Sequence, residues 1–319
     1  MAESATARQV AGAHVRREVV HAVLVLLFVV WSNAFHAVAY FRQAVGVSAL
    51  DLFTVRFGPL APLCLAYCLR RRAELREMLV HDGWRVLAAA LFTVPGYNLA
   101  LNWGQGRVPA ATASLLIATN PVFTYMLAVA LLGEHVRWSK IAGLALAFFG
   151  VYGLVRFQNG QFGGTYLIYA LVVLLAPLCW ALATVIGKPV TTRRDPLLFT
   201  FAATGIGSLP SMVMLALGAG DSHGVLGRLT PTGWIALVHL SLGCTIIGNA
   251  VWFWALRHRS ASSVAAFVFL NPPFTALFGI LWGTEPFHWS LAVFGAVILA
   301  GVALSAGVLR RPISARRVC

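Results

Sequence analysis

Two stretches of this chain read almost alike: Asn120 to Trp138, NPVFTYMLAVALLGEHVRW, and Asn271 to Trp289, NPPFTALFGILWGTEPFHW. A gapless shift of 151 residues pairs Asn98 with Asn249, Trp103 with Trp254, Pro121 with Pro272, and Thr124 with Thr275. The same shift pairs Glu134 with Glu285, Trp138 with Trp289 and Gly150 with Gly301. Apolar runs match by chance, but Asn, Pro, Glu and Trp in one register do not, so the chain is an internal duplication. A weaker echo joins LLFVVWSNAF around Trp31 to LLAPLCWALA around Trp180, with the offset slipping to 149.

Composition says what is duplicated. Of 319 residues, 59% are hydrophobic and 11% charged, with a mean hydropathy of +0.80, whereas soluble domains carry about 25% charged residues. Crossing a bilayer takes about 20 apolar residues. Arg, Gly and Pro separate ten such runs, at 20–41, 48–69, 85–103, 109–131, 138–155, 165–187, 196–217, 231–255, 261–283 and 289–309. The first run follows Arg16 and Arg17 as a secretory signal would, but it is too long and too many spans follow it, so it is read as retained. The expected fold class is therefore an all-α integral membrane protein of ten transmembrane helices.

The net charge of +14 orients the chain. With the N-terminus in the cytoplasm, 19 of the 24 Lys and Arg residues fall in or beside cytoplasmic segments, as the positive-inside rule requires. Basic residues lie between spans rather than along one face, which argues against a nucleic-acid partner. The expected organisation is a cytoplasmic tail 1–19, one repeat over 20–155, a second over 165–309, and a basic cytoplasmic tail 310–319. Five spans is an odd number, so the second repeat enters the membrane from the opposite side, which is the inverted arrangement many alternating-access carriers use. The expected location is the plasma membrane. Of five cysteines none forms a CxxC pair, and no metal or cofactor is expected.

The segment NLALNWGQGRVPAATASLLIATNPVFTYMLAVALLGEHVRWSKIAGLALAFFGVYGLV, its copy after Asn249, WSNAF in the first span and TVRFGPL in the second resemble the EamA-type transporters of the drug/metabolite transporter superfamily. The resemblance covers about residues 20–309. It implies a ten-span carrier, commonly an exporter of amino acids, drugs or other small metabolites, with a cavity between the halves. One departure is Thr284-Glu285-Pro286 where the family has Gly-Glu.

Asn120-Pro121 and Asn271-Pro272 each stand about eleven residues into a span, hence near its middle. Proline removes a helical hydrogen bond and the asparagine amide adds polar groups, all of which need partners. Two readings stand side by side: a kink whose Asn bonds a neighbouring helix, and a pair of breaks flanking a substrate site. Glu134 and Glu285 precede new spans and are read as helix caps, with Trp138 and Trp289 as interface anchors.

Arg56 lies about 12 Å below the outer surface, where an unpaired guanidinium is costly. Asp51, about a turn outward, is one candidate partner; a substrate carboxylate is another. His36 and His239 fall at similar depth and are expected to form one polar collar with Arg56; with no midspan carboxylate, they are the candidates if a proton is the coupling ion. Trp31, Tyr97, Trp180 and Trp252 with Asn33, Asn98 and Asn249 have the make-up of a small-molecule pocket. Asn33 is placed nearest the substrate by its midspan position and its match to the family's first-span motif. A membrane enzyme would need a nucleophile, metal cluster or paired aspartates, and no such motif is present; a passive channel is the other alternative. Nothing in the sequence names the solute or the oligomeric state.

Overall fold

The computed structural model describes residues 17–108, 110–159, 167–283 and 289–306. Glu285, most of the N-terminal tail and all of the tail 310–319 lie outside these residues. Among the described residues the protein is helical, without strands. Eight helical segments among the described residues are long and apolar enough to cross a membrane, and two shorter apolar helices accompany them, Trp138–Gly153 and Ala292–Ser305. Leu26, Met126, Phe149, Ile235 and Leu281 stand exposed on the outside, as side chains facing hydrocarbon should.

In chain order, α1 spans Arg17–Ala39, α2 Ala49–Phe57, α3 Leu60–Arg70, α4 Arg72–Leu91, α5 Tyr97–Gly104, α6 Ala110–Ile117, α7 Asn120–Leu132 and α8 Trp138–Asn159. Then come α9 Leu167–Arg193, α10 Pro196–Ala216, α11 Ser222–Gly227, α12 Pro231–Val238, α13 Gly248–His258, α14 Ala261–Ala265, α15 Asn271–Leu281 and α16 Ser290–Ala306. Capping residues start several of them: Ser48 accepts from the Asp51 N–H, Asp195 from Leu197, and Thr230 from Gly233, each satisfying a donor that a helix start leaves open.

Both Asn-Pro motifs sit where a span breaks. Helix α6 ends at Ile117, Ala118 and Thr119 form a turn, and α7 starts at Asn120 with Pro121 in its first turn. Likewise α14 tightens into a 3-10 segment, Ala266–Leu270, before α15 starts at Asn271 with Pro272 in its first turn. Proline suits that first turn because its missing N–H would have no partner there anyway.

The third span of each repeat carries a wide π-helical turn. Phe92–Gly96 joins α4 to α5, and His239–Ile247 joins α12 to α13. Such turns are short insertions that free backbone carbonyls toward the interior. The helix ends of the repeated motif also correspond. Gly133 closes α7 at φ 65° and Gly283 follows α15 at φ 69°, a left-handed conformation that glycine adopts without Cβ penalty. The second glycine arrives one residue earlier in its repeat, which accounts for Thr284 where Gly is usual.

Packing interleaves the halves. Helix α7 lies on α9 and α14, and α15 lies on α1, while α16 runs along α8. The α8–α16 pair approaches closely through glycine: a Cβ on Gly143 would stand 2.5 Å from the Ser305 nitrogen, and one on Gly301 2.5 Å from that of Ala147. Small residues that admit backbone contact are how membrane helices associate without a hydrophobic drive. The interior is filled by Trp252, Phe28, Phe53, Phe57, Phe199 and Phe253.

Candidate functional site

A cavity of about 60 Å3 lies where the repeated motifs converge. Helix α1 turns Phe28, Trp31, Phe35 and Val38 toward it, the three-and-four spacing of one helical stripe. Thr93, Tyr97 and Asn98 reach it from the first π-turn and α5, Thr245 and Asn249 from the second π-turn and α13, and Asn120 and Asn271 from the two breaks. Trp180 of α9 completes the wall.

Among the described residues its one charged lining residue is Arg56, 7% exposed. Nη1 donates to Asn98 Oδ1 and Nη2 to Thr245 Oγ1, both at 3.0 Å. These two acceptors are anchored by the π-turns themselves. Asn98 Nδ2 donates to the carbonyls of Thr93 at 3.0 Å and Val94 at 2.9 Å, and Thr245 Oγ1 donates to the Leu240 carbonyl at 3.0 Å. The guanidinium also lies 4.8 Å from the Phe57 ring centroid, a cation–π contact. Its Nε is buried without a partner, and among the described residues no carboxylate pairs with it. Asp51, the partner considered from sequence, is engaged elsewhere: it accepts from Ser48 Oγ at 2.6 Å and from the Asp221 N–H at 3.0 Å. That carboxylate ties a helix start to the α10–α11 loop instead.

Aromatic rings pack behind and around this cation. Trp31 meets Trp180 edge-on at 5.3 Å, and Tyr97 lies 5.2 Å from Trp180. Trp31 Nε1 donates to the Cys244 carbonyl at 2.9 Å. Gly248 makes room for that indole, since a Cβ there would fall 2.2 Å from Nε1. Trp252 does not line the cavity; fully buried, it supports Trp31 and Trp180 from behind and donates to Thr184 Oγ1 at 3.1 Å.

The two break asparagines each bond the first helix of the other repeat, one as donor and one as acceptor. Asn120 Nδ2 donates to the Pro177 carbonyl of α9 at 2.9 Å. Asn271 Oδ1 accepts from Ser32 Oγ of α1 at 3.2 Å. Both asparagines line the cavity as well, so bonding a neighbouring helix and bordering the hollow are not exclusive roles.

Asn33, His36 and His239 are elsewhere. They line a separate hollow of about 720 Å3 with Tyr40, Gln43 and Trp282. The reason is angular: each residue turns a helix by about 100°, so Asn33 and His36 project away from the stripe that holds Trp31 and Phe35. The expected single collar with Arg56 is thus two sites. His36 Nε2 bonds the Thr275 carbonyl at 2.8 Å, and His239 Nε2 lies 3.4 Å from Cys244 Sγ.

Glu134 meets the start of a helix, but not the helix that follows it. Its carboxylate accepts from the hydroxyl of Ser262 and from that residue's N–H at 3.4 Å, in the first turn of α14 in the other repeat. Lys140 Nζ bonds it at 3.1 Å. Burial alone would raise the carboxyl's pKa, yet the Ser262 and Lys140 contacts outweigh it and hold it below the usual range. Sequence reasoning missed Thr93 and Thr245, although a threonine four or five residues before each repeated asparagine was a signal for them.

The family model of the EamA-like transporter family matches residues 20–156 and 167–307. A protein of Streptantibioticus cattleyicolor named "Probable terminal-alkyne amino-acid exporter" is 32% identical, covering 92% of this chain and 94% of the relative. An uncharacterized transporter of Archaeoglobus fulgidus is 28% identical over 89% of this chain and 96% of its own. A solved crystal structure at 19% identity superposes with a TM-score of 0.70 over 92% of this chain and 98% of that one, which is a likeness of fold.

Proposed function

Because the chain belongs to the EamA-like transporter family, we propose that it exports small metabolites bearing a carboxylate, amino acids among them, across the plasma membrane by alternating access. The observation that carries this reading is Arg56: a buried guanidinium on the wall of an aromatic cavity, held by neutral acceptors and, among the described residues, without a carboxylate counter-ion. A buried charge without a partner is unfavourable, and an incoming carboxylate relieves that cost while its apolar remainder meets Trp31, Tyr97 and Trp180. The name of the Streptantibioticus relative, an amino-acid exporter, supports the same class of solute.

The transport cycle proposed rests on ten spans in two inverted five-helix repeats, with both termini in the cytoplasm. The matched breaks at Asn120 and Asn271, the paired π-turns and the crossed bonds from Asn120 to α9 and from Asn271 to α1 support that symmetry. The Glu134–Ser262 contact joins the halves near the start of α1, whereas the hollow of about 720 Å3 opens near its end. A helix of 23 residues puts these about 35 Å apart, one mouth clamped and one open.

Purified protein in proteoliposomes tests the activity: labelled neutral amino acid accumulates by counterflow when unlabelled amino acid is loaded inside. Chemical conversion of the label, or entry without exchange acceleration, would replace this reading with an enzyme or a channel. Single cysteines at positions 135 and 286 test the topology, and labelling of both from one face would refute inversion.

A further inference from the structure

The end of the molecule that carries Glu134 holds a second polar feature that the central cavity does not use. A hollow of about 530 Å3 is lined by six cationic side chains, Arg17, Arg137, Lys140, Lys188, Arg257 and Arg259, against one carboxylate, Glu134. The cations come from the start of α1, the α7–α8 loop and first turn of α8, the end of α9, the last turn of α13 and the α13–α14 connection, so separate segments bring like charges to one place. Orientation in a membrane does not require this, because the positive-inside rule is met by basic residues spread over a face.

The one carboxylate is already committed to Lys140 and Ser262. Lys188 Nζ donates to the carbonyls of Leu256 at 2.6 Å and Arg259 at 2.8 Å, which supply dipoles and no charge. The Nε of Arg259 is buried without a partner. Burial, together with the positive charge of Arg17, holds that guanidinium below its ordinary range, with Glu18 acting weakly against them. Ser260, Ser263 and Ser305 add hydroxyl donors to the same wall.

We propose that this hollow is an oxyanion site that takes a phosphate group, either as a free phosphate-bearing solute or as the headgroup of an anionic phospholipid. Phosphate fits better than a carboxylate for two reasons: it brings more negative charge to an excess of five positive charges, and its several oxygens match the forked donors of arginine. The site stands whatever solute the central cavity carries.

The test uses the full chain in nanodiscs of phosphatidylcholine, with inorganic phosphate raised at constant ionic strength set by chloride. Apparent melting temperature should rise saturably in the unmodified protein, with about tenfold weaker apparent affinity in the Arg257→Gln, Arg259→Gln double variant. Arg107→Gln, at the opposite end, should behave as unmodified protein, and Arg257→Lys, Arg259→Lys should fall between the Gln variant and unmodified protein, because charge returns without the fork, which separates charge from misfolding. A second arm uses discs of mixed phosphatidylcholine and phosphatidylglycerol and counts retained lipid by native mass spectrometry. Preferential retention of phosphatidylglycerol that the Gln variant loses assigns a headgroup; a phosphate response without retention assigns a free solute. Neither saturable stabilisation nor preferential retention would overturn the site.

Discussion

The carboxylate of Glu134 in one repeat is hydrogen-bonded to both the hydroxyl and the N–H of Ser262 in the other, 128 residues away. With Lys140 at 3.1 Å from the same carboxylate, this is a polar clamp between halves at one end of the molecule. The Glu134 and Lys140 side chains are each 12% exposed.

Removing the clamp should loosen the protein by a predictable amount. Glu134→Ala leaves Lys140 and the Ser262 N–H short of an acceptor and is expected to cost about 1–3 kcal/mol, whereas Glu134→Gln retains an acceptor oxygen and costs less. The pH dependence follows from the lowered pKa of Glu134. A carboxylate held below its ordinary 4.5 contributes stability above that value and loses it as pH falls through the lowered one. The gap in apparent melting temperature between unmodified protein and Glu134→Gln should therefore be flat at neutral pH and close only in acid below about 4.5. A gap that narrows instead between pH 6 and 8, on the order of a histidine titration, would assign the effect to another group.

Arg56 should prove more sensitive than its position in a greasy span suggests. Replacing it with Gln removes the cation while leaving a polar side chain beside Asn98 and Thr245. Losing a buried charge partner costs about 2–5 kcal/mol, or roughly 30-fold or more in affinity, so counterflow should show a raised KM for amino acids. Arg56→Lys keeps the charge but lacks the fork that spans Asn98 and Thr245, and should fall between. Ordinary KM values in both variants would dismiss the guanidinium as a carboxylate partner.

These residues show where sequence reasoning reaches and where it stops. The breaks at Asn120 and Asn271 were legible because proline constrains backbone wherever it stands, and the repeat marked both at once. Arg56 stood out because an isolated cation in an apolar span is rare. The side of α1 was not legible: in WSNAFH, Trp31 and Phe35 form one stripe and Asn33 and His36 another, and either could have faced the cavity. The π-turns left no pattern in composition, and they place Asn98 and Thr245 as acceptors. Its place in the sequence points Glu134 to the helix that follows it, whereas its carboxylate meets Ser262 in the other repeat; which helix it meets is decided by how the repeats interleave, a tertiary fact no local motif holds.

The fit of Gly248 to Trp31 yields a pairwise prediction. A methyl group at 248 would collide with the indole nitrogen and break its bond to the Cys244 carbonyl. Overpacking of this kind costs about 1–3 kcal/mol. Trp31→Phe, which shrinks the ring and removes the donor, should relieve part of the clash in Gly248→Ala, so the double variant should be less destabilised than the two singles added together. Strict additivity in apparent melting temperature would mean the two positions do not touch in the folded protein.

Proton coupling, if present, should map to His36 and His239. Among the described residues no carboxylate lines either the Arg56 cavity or the hollow of about 720 Å3, and the two histidines belong to the latter. Histidine is the side chain whose charge ordinarily changes near neutral pH. The His36→Gln, His239→Gln double variant should therefore keep counterflow, which needs no ion gradient, since neither residue lines the cavity that holds Arg56. Accumulation driven by an imposed pH difference should disappear in the same variant. Gradient-driven accumulation that survives with an unaltered pH profile would mean that these histidines only bond their neighbours, His36 to Thr275 and His239 to Cys244, and that the driving ion is not a proton carried by them.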